Sequence, residues 1–344
     1  MGCATRSILR TADVASLLLE ARNLTVEFTT RGRIVHAVTD ADLNLSAGEV
    51  LAVVGESGSG KSQMLLSMLG LTARNSKVSG SVRLDGEELI GASESRLNRI
   101  RARRIGYVFQ DPMTSLNPYL SIGVQLTEPL QIHKRLGKSE AVAQAVEMLR
   151  AVHISEPERR MRQYPHELSG GMRQRVAIAM ALVCGPEILI ADEPTTALDV
   201  TVQAQILSLL REVRERLGTA VILVTHDLGV IAELADRVNV MYAGRMVEKG
   251  TVDDIFYRRR HPYTEALENS IPRLSDARSA RLTAIEGNPP DLSDVPPGCA
   301  FHPRCPYRLG ICELAVPALE HVSGQHYKAC YYQGELGRGV KTTQ

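Results

Sequence analysis

The stretch Val50-Leu51-Ala52-Val53-Val54-Gly55-Glu56-Ser57-Gly58-Ser59-Gly60-Lys61-Ser62 decides how this chain folds. Its first five residues are apolar and valine-rich, which reads as a short strand buried on both faces. That strand runs directly into G-x-x-x-x-G-K-[ST], a loop that cradles phosphates. Gly55, Gly58 and Gly60 allow backbone N–H groups to converge on phosphate oxygens, with the N-terminus of a helix from Lys61 through Leu69 behind them. Lys61 supplies a point charge for the β- and γ-phosphates, and the Ser62 hydroxyl can ligand Mg2+. The whole loop, with Glu56, Ser57 and Ser59, is the candidate nucleotide-binding segment, and its expected ligand is ATP or GTP.

Outward from this loop, strand and helix alternate as in a mostly parallel α/β sheet with its ligand at the strand ends. Ile188-Leu189-Ile190-Ala191-Asp192 is a second buried strand, and its terminal carboxylate is costly there unless it holds a metal, usually through water. Glu193 beside it is the natural base for an attacking water. Val221 to Thr225 is a third buried strand, ending at His226. Asp199 to Leu217 reads as a long amphipathic helix stopped by Gly218. Arg175 to Leu182 is helical, and Cys184 beyond it reads as a buried small hydrophobe. Residues 24–44 and Val82 to Glu87 suggest strands of a β subdomain. From about 112 to 168 the spacing turns helical, with Val142, Ala145, Val146, Leu149 and Val152 on one face, as in a helical subdomain inserted into the core.

Leu168-Ser169-Gly170-Gly171-Met172-Arg173-Gln174 resembles the signature loop of ATP-binding-cassette (ABC) ATPases. Tyr107-Val108-Phe109-Gln110-Asp111-Pro112 resembles their Q-loop, and Ala197-Leu198-Asp199 their D-loop. All these motifs follow in family order between residues 55 and 226. The resemblance implies an α/β P-loop NTPase core with an antiparallel β subdomain and an inserted helical subdomain. It implies that the phosphate loop of one protomer and the signature loop of another enclose one ATP. Gln110 would reach Mg2+ and sense the transport partner, and His226 would contact the γ-phosphate. Ser169, Gly170 and Gly171 would contact the γ-phosphate across the dimer, and Asp199 belongs to the same interface loop. With Glu193 and His226 both present, the catalytic set (Glu193, His226, Gln110) is intact. One departure is that the family stacks adenine on an aromatic some 20 to 25 residues before the loop. Here the window around Arg31 to Val35 has none, so Phe28, Arg33 or aliphatic packing is left to meet the base.

Three further segments resemble ATPase subunits of dipeptide and oligopeptide importers: Gln110 to Pro118, His261-Pro262-Tyr263-Thr264, and Pro296-Pro297-Gly298-Cys299-Ala300-Phe301-His302-Pro303-Arg304-Cys305-Pro306. The likeness spans about residues 20 to 335. It implies a paralogous ATPase partner, or a second copy of this chain, two membrane permeases docked near the Q-loop and helical subdomain, and an external solute-binding protein. The place of work would be the cytoplasmic face of the inner membrane, as a peripheral protein. Related subunits serve nickel, opines and other small solutes, so cargo stays open. A soluble ABC regulator in translation or DNA repair is disfavoured by the lack of a tandem cassette or long coiled coil. A metal-binding scaffold with a vestigial nucleotide site is disfavoured by Glu193.

Cys299, Cys305, Cys312 and Cys330 crowd the tail with spacing C-x5-C-x6-C-x17-C, which favours metal over disulfides in a cytosolic protein. A [4Fe–4S] cluster, a four-cysteine Zn2+ site and plain thiols all remain open on spacing, and the resemblance favours the cluster. Its distance in sequence from the phosphate motifs points to a structural role. His302 and His326 read as free histidines. The expected division is an extension over 1–20, an ATPase domain over 21–250, a loop-rich cysteine domain over 251–335, and a tail over 336–344.

Composition fits this reading. At 344 residues with 44% hydrophobic and 23% charged residues, the chain is long enough for one large or two smaller cores. A net charge of +1 marks no nucleic-acid partner. No run approaches the roughly 18 to 20 apolar residues that cross a bilayer, and Leu17-Leu18-Leu19 is too short for a secretory core. Arg6 where Ser or Thr is needed excludes myristoylation at Gly2.

Overall fold

A computed structural model describes residues 17–30, 32–111, 115–196, 198–270 and 285–337. Most of the expected N-terminal extension, Pro112 to Thr114 of the Q-loop segment, Ala197 of the D-loop and the end of the tail lie outside these. In chain order the strands are β1 (Leu17–Thr30), β2 (Arg33–Ser46), β3 (Val50–Val54), β4 (Ser76–Leu84), β5 (Glu87–Glu88) and β6 (Ile105–Val108). They continue with β7 (Ile188–Asp192), β8 (Ala220–Val224), β9 (Arg237–Tyr242), β10 (Arg245–Thr251), β11 (Glu320–Ser323) and β12 (His326–Lys328).

Two sheets result. The first is antiparallel, with order β2-β1-β4-β5. Its first strand begins at Leu17, inside the stretch expected to be loose. Leu19 is wholly buried and pairs with both Leu45 and Leu84, so its burial is decided by strands distant in sequence. The second sheet has order β11-β12-β10-β9-β3-β8-β7-β6, parallel from β9 through β6 and antiparallel beyond.

The apolar run of β3 now has its reason. Leu51 and Val53 join the core that lies against the antiparallel sheet, while Val50, on the other face, joins the core that also holds buried residues of Val200–Leu217 and the helical subdomain. Ala52 and Val54, on that same face, meet the C-terminal segment. Every residue of the strand has an apolar neighbour, so no polar alternation survives.

The inserted subdomain comprises helices Ile122–Lys134, Lys138–Ala151 and Pro157–Arg160. Ala141, Ala145, Val146 and Leu149 are buried, whereas Val142 is 40% exposed. The buried stripe therefore starts one residue earlier than expected, on an alanine small enough for close helix contact. The helix after the signature loop starts at Gly170, not Arg175, because the Ser169 hydroxyl caps it by accepting from Met172 N–H at 3.3 Å. Helix Val200–Leu217 begins on Asp199, which accepts from Val202 N–H at 3.0 Å, and ends on Gly218 at φ 65°, both as read.

The C-terminal segment is welded to the core. β12 pairs with β10 through Glu248 and Lys328, so the second sheet runs on across residue 250. Tyr242, Tyr263 and Phe301 are the largest fully buried side chains, with ring centroids 4.5 to 5.4 Å apart. Offset and edge-on aromatic packing of this kind holds the segment to β9.

Candidate nucleotide-binding site

Gly60 opens helix Lys61–Met68 in the left-handed region, at φ 100°. A Cβ there would meet the Ala37 carbonyl oxygen at 2.2 Å, so only glycine lets the loop pass beneath β2. Lys61 is buried, and its Nζ donates to the carbonyls of Gly55 (2.8 Å) and Glu56 (2.9 Å) and to Ser59 Oγ (3.2 Å). Burial pulls its pKa down, opposed by the charges of Glu193, Asp192 and Glu56. The ammonium is held over the mouth of the loop, among acceptors that phosphate oxygens can replace.

Asp192 ends β7 almost fully buried, at 4% exposure. Desolvation pushes its pKa up, against the hydroxyls of Ser62 and Tyr107. Tyr107 donates to Oδ2 at 2.9 Å, while Oδ1 has no hydrogen-bond partner. An orphaned carboxylate oxygen beside a serine hydroxyl fits a hydrated Mg2+.

Glu193 adopts φ 48°, rare for a side-chain-bearing residue, and turns its carboxylate out of the strand direction. Three groups converge on its Oε2: Gln110 Nε2 at 3.0 Å, Thr196 Oγ1 at 2.9 Å and His226 Nδ1 at 3.8 Å. Residues 110, 193 and 226 come from the ends of β6, β7 and β8, which lie side by side in the sheet. The arrangement can hold a carboxylate over a reacting phosphate and accept a proton from water.

A cleft of about 460 Å³, within the usual size of a ligand site, opens between the phosphate loop, Gln110 and Glu193, without Asp192, Thr196 or His226 in its lining. Phe28, Val35 and Ala37 line one side, and Ser57, Gly58, Gly60, Lys61, Ser62, Gln110 and Glu193 another. Arg33 is not among its lining residues, whereas Leu292 of the C-terminal segment is. Ser169, Gly170, Gly171 and Asp199 are also absent from that lining, although Ser169, Gly170 and Asp199 are exposed. Sequence reasoning brought together the loop, Asp192, Glu193, Gln110 and His226, and missed Tyr107, Thr196 and Leu292. Only Tyr107, inside the Q-loop segment itself, carried any local signal.

The C-terminal segment approaches the phosphate loop directly. Arg304, next to Cys305, forms a two-pronged ion pair with Glu56 at 2.7 and 3.0 Å. His326 Nε2 lies 2.8 Å from Glu248, and both are buried. His302 Nδ1 lies 2.9 Å from the Cys299 carbonyl. Cys184 is buried as read, with its thiol pKa raised by burial.

Among the described residues, no three His, Cys, Asp or Glu side chains form a ready metal-holding group. The four tail cysteines are free thiols within electrostatic reach of one another. Burial drives Cys305 to about 12 and Cys330 to about 11, and also raises Cys299. Cys312 Sγ accepts from Leu309 N–H at 3.4 Å.

Comparison with known proteins agrees with this geometry. Residues 38–196 match the family model of ABC transporters, and residues 247–312 that of the oligopeptide/dipeptide transporter C-terminal region. The chain is 52% identical to the oligopeptide transport ATP-binding protein OppD of Salmonella typhimurium, covering 92% of this chain and 94% of that protein. It is 50% identical to the dipeptide transport ATP-binding protein DppD of Bacillus subtilis, covering 92% and 95%. A solved dimeric bacterial ABC transporter cassette superposes with TM-score 0.62 at 33% identity, covering 68% of this chain and 99% of the cassette. A post-hydrolysis dimer of such a cassette, bound to ADP and phosphate, matches with TM-score 0.62 at 32% identity, with the same coverage. With its phosphate loop, buried acid and clustered Gln110, Glu193 and His226, the chain belongs to the ABC transporter ATPases, in the oligopeptide/dipeptide branch of that family.

Proposed function

We propose that this chain is the energy-coupling ATPase of an importer for di- and oligopeptides, working as one half of a head-to-tail pair. The carrying observation is a division of parts. Gln110, Thr196 and His226 gather on Glu193 beside the phosphate loop, while the exposed Ser169 and Asp199 stand outside that cleft. A second ATPase subunit, a paralogue or another copy, would bring its signature loop to the γ-phosphate.

In this reading the backbone N–H groups of Gly55 to Ser62 hold the phosphates, and Lys61 exchanges its carbonyl partners for phosphate oxygens. Ser62 and Asp192 would hold Mg2+, which would supply positive charge to offset that of the phosphates. Glu193, oriented by Gln110 and Thr196, takes a proton from the water that attacks the γ-phosphorus. Fixed donors from both subunits neutralise the charge as the bond to the leaving ADP oxygen breaks. Loss of the bridging phosphate then opens the interface. Phe28, Val35 and Leu292 provide apolar surface for the base.

An apolar groove of about 240 Å³, lined by Leu69, Leu71, Tyr107, Phe109 and Met180, supports permease docking beside the Q-loop. No described helix is long and apolar enough to cross a membrane, which suits peripheral attachment at the cytoplasmic face of the inner membrane. An external binding protein would deliver the cargo. The gathering of Cys299, Cys305, Cys312 and Cys330 within electrostatic reach of one another supports their ligation of a [4Fe–4S] cluster. The cluster would cross-link a loop-rich segment, and Zn2+ is the alternative occupant.

Four measurements test this. Glu193→Gln should lower ATP turnover by about 10²- to 10⁴-fold while still forming an ATP-dependent dimer in light scattering. Undiminished hydrolysis, or no association with ATP, sinks the catalytic reading. Uptake in vesicles carrying the permeases separates peptides from nickel or opines, and anaerobic iron, sulfide and zinc analysis decides the occupant of the cysteines.

A further inference from the structure

Glu56 occupies a position of the phosphate-loop motif at which any residue is permitted, yet it is gripped from two sides by the C-terminal segment. Its backbone N–H donates to Tyr263 OH at 2.7 Å. Its carboxylate receives Arg304 Nη1 on Oε2 at 2.7 Å and Nη2 on Oε1 at 3.0 Å. The Arg304 side chain is only 5% exposed.

Every donor of that guanidinium is used. Nε donates to the Glu286 carbonyl at 2.9 Å, Nη1 also to Tyr242 OH at 3.3 Å, and Nη2 also to the Ile285 carbonyl at 3.3 Å. Five bonds exhaust its five N–H groups, and the planar fork lies 5.9 Å from the Tyr242 ring and 6.0 Å from Phe301. Arg304 also closes the turn that holds two of the cysteines: its N–H donates to the Phe301 carbonyl, and that of Cys305 to His302. Arg304 therefore ties the phosphate loop directly to the Cys299–Cys305 turn.

The third grip on Glu56 is internal. Lys61 Nζ bonds its carbonyl at 2.9 Å, and the same Nζ must swing to phosphate when nucleotide binds. In the nucleotide-site reading that exchange frees the Glu56 carbonyl.

We propose that Arg304 is a positioning residue that presets the phosphate loop, so that nucleotide binding and the order of the cysteine turn are linked. This rests on the nucleotide-site reading above. Linkage of this kind is reciprocal: whatever orders the cysteine turn raises nucleotide affinity, and nucleotide orders the turn in the same measure.

The test uses the full chain as purified. Arg304→Met is expected to bind MgATP about tenfold more weakly, with turnover at saturating ATP within about twofold of the parent. Arg304→Lys, which keeps the charge but loses the fork, should fall between. In the parent chain, saturating MgATP should slow amide hydrogen exchange of a peptide spanning Phe301 to Cys305, and Arg304→Met should abolish that response. A folded Arg304→Met chain with parental affinity overturns the proposal, as does parental exchange indifferent to bound MgATP. If Arg304→Met does not fold, the parental exchange result decides alone. A parent chain that binds no ATP would defeat the nucleotide-site reading instead.

Discussion

Replacing Tyr107 with phenylalanine removes one hydroxyl and keeps the ring that packs 4.6 Å from Phe109. That hydroxyl donates the 2.9 Å bond to Asp192 Oδ2, and Oδ1 has no partner to take over. A hydrogen bond to a charged group contributes about 1.5–3 kcal/mol. Burial already holds the Asp192 pKa above its ordinary value, and the variant should raise it further. The sign follows. An acid whose folded pKa lies above its unfolded pKa binds extra protons when folded, so its contribution to stability falls as pH rises through that window. Tyr107→Phe should therefore be less stable by about 1.5–3 kcal/mol at pH 7.5, with the deficit shrinking as acid protonates Asp192 in both chains. Urea unfolding at a series of pH values reads this directly. The Mg2+ concentration for half-maximal ATP turnover should rise in the variant, because protons compete for the same carboxylate. A deficit below about 0.5 kcal/mol at pH 7.5, or one that does not change with pH, would refute the reasoning.

Two other outcomes follow from the same geometry. Gly60→Ala places a Cβ 2.2 Å from the Ala37 carbonyl at a backbone angle alanine resists, so the variant should lose nucleotide binding before it loses secondary structure. Equilibrium dialysis with MgATP and circular dichroism distinguish the two. His261 is buried, its Nδ1 accepts from Tyr263 N–H at 3.1 Å, and burial holds its pKa down at about 3. A base depressed in this way stabilises the fold above pH 6.5 and loses that contribution as pH falls toward 3, with a ceiling of about 5 kcal/mol. His261→Asn, which keeps a cap acceptor but cannot titrate, should flatten the decline of melting temperature between pH 7 and 5. An unchanged decline would assign acid sensitivity to other groups.

The nucleotide site was legible because its chemistry is local. A glycine-rich turn after a valine-rich strand, and an acid at the end of another, announce themselves within a few residues. The convergence on Glu193 was legible only in outline. Gln110 and His226 came from motif order, whereas Thr196 depends on the turn that gives Glu193 its positive φ. Tyr107 gave no sign of its bond to Asp192, since the two lie 85 residues apart and meet because β6 and β7 are neighbours. Val142 was misassigned because helical periodicity leaves a stripe uncertain by one residue until a packing partner chooses it.

The C-terminal segment shows the boundary most clearly. Its cysteines, prolines and His261-Pro262-Tyr263 pattern were plain in the sequence, as was the nucleotide chemistry 200 residues earlier. Local order is encoded in neighbouring residues, so the sequence alone determined the phosphate loop, the acidic strand end and the helix that runs from Asp199 to its stop at Gly218. What only the tertiary structure decided is that Tyr263, Leu292 and Arg304 return to the phosphate loop. The sheet runs on through β10 and β12, and the aromatic packing of Tyr242, Tyr263 and Phe301 brings the segment home. A contact between residues 248 positions apart, such as Arg304 with Glu56, depends on burial summed over the whole core, and no short stretch of chain carries that sum.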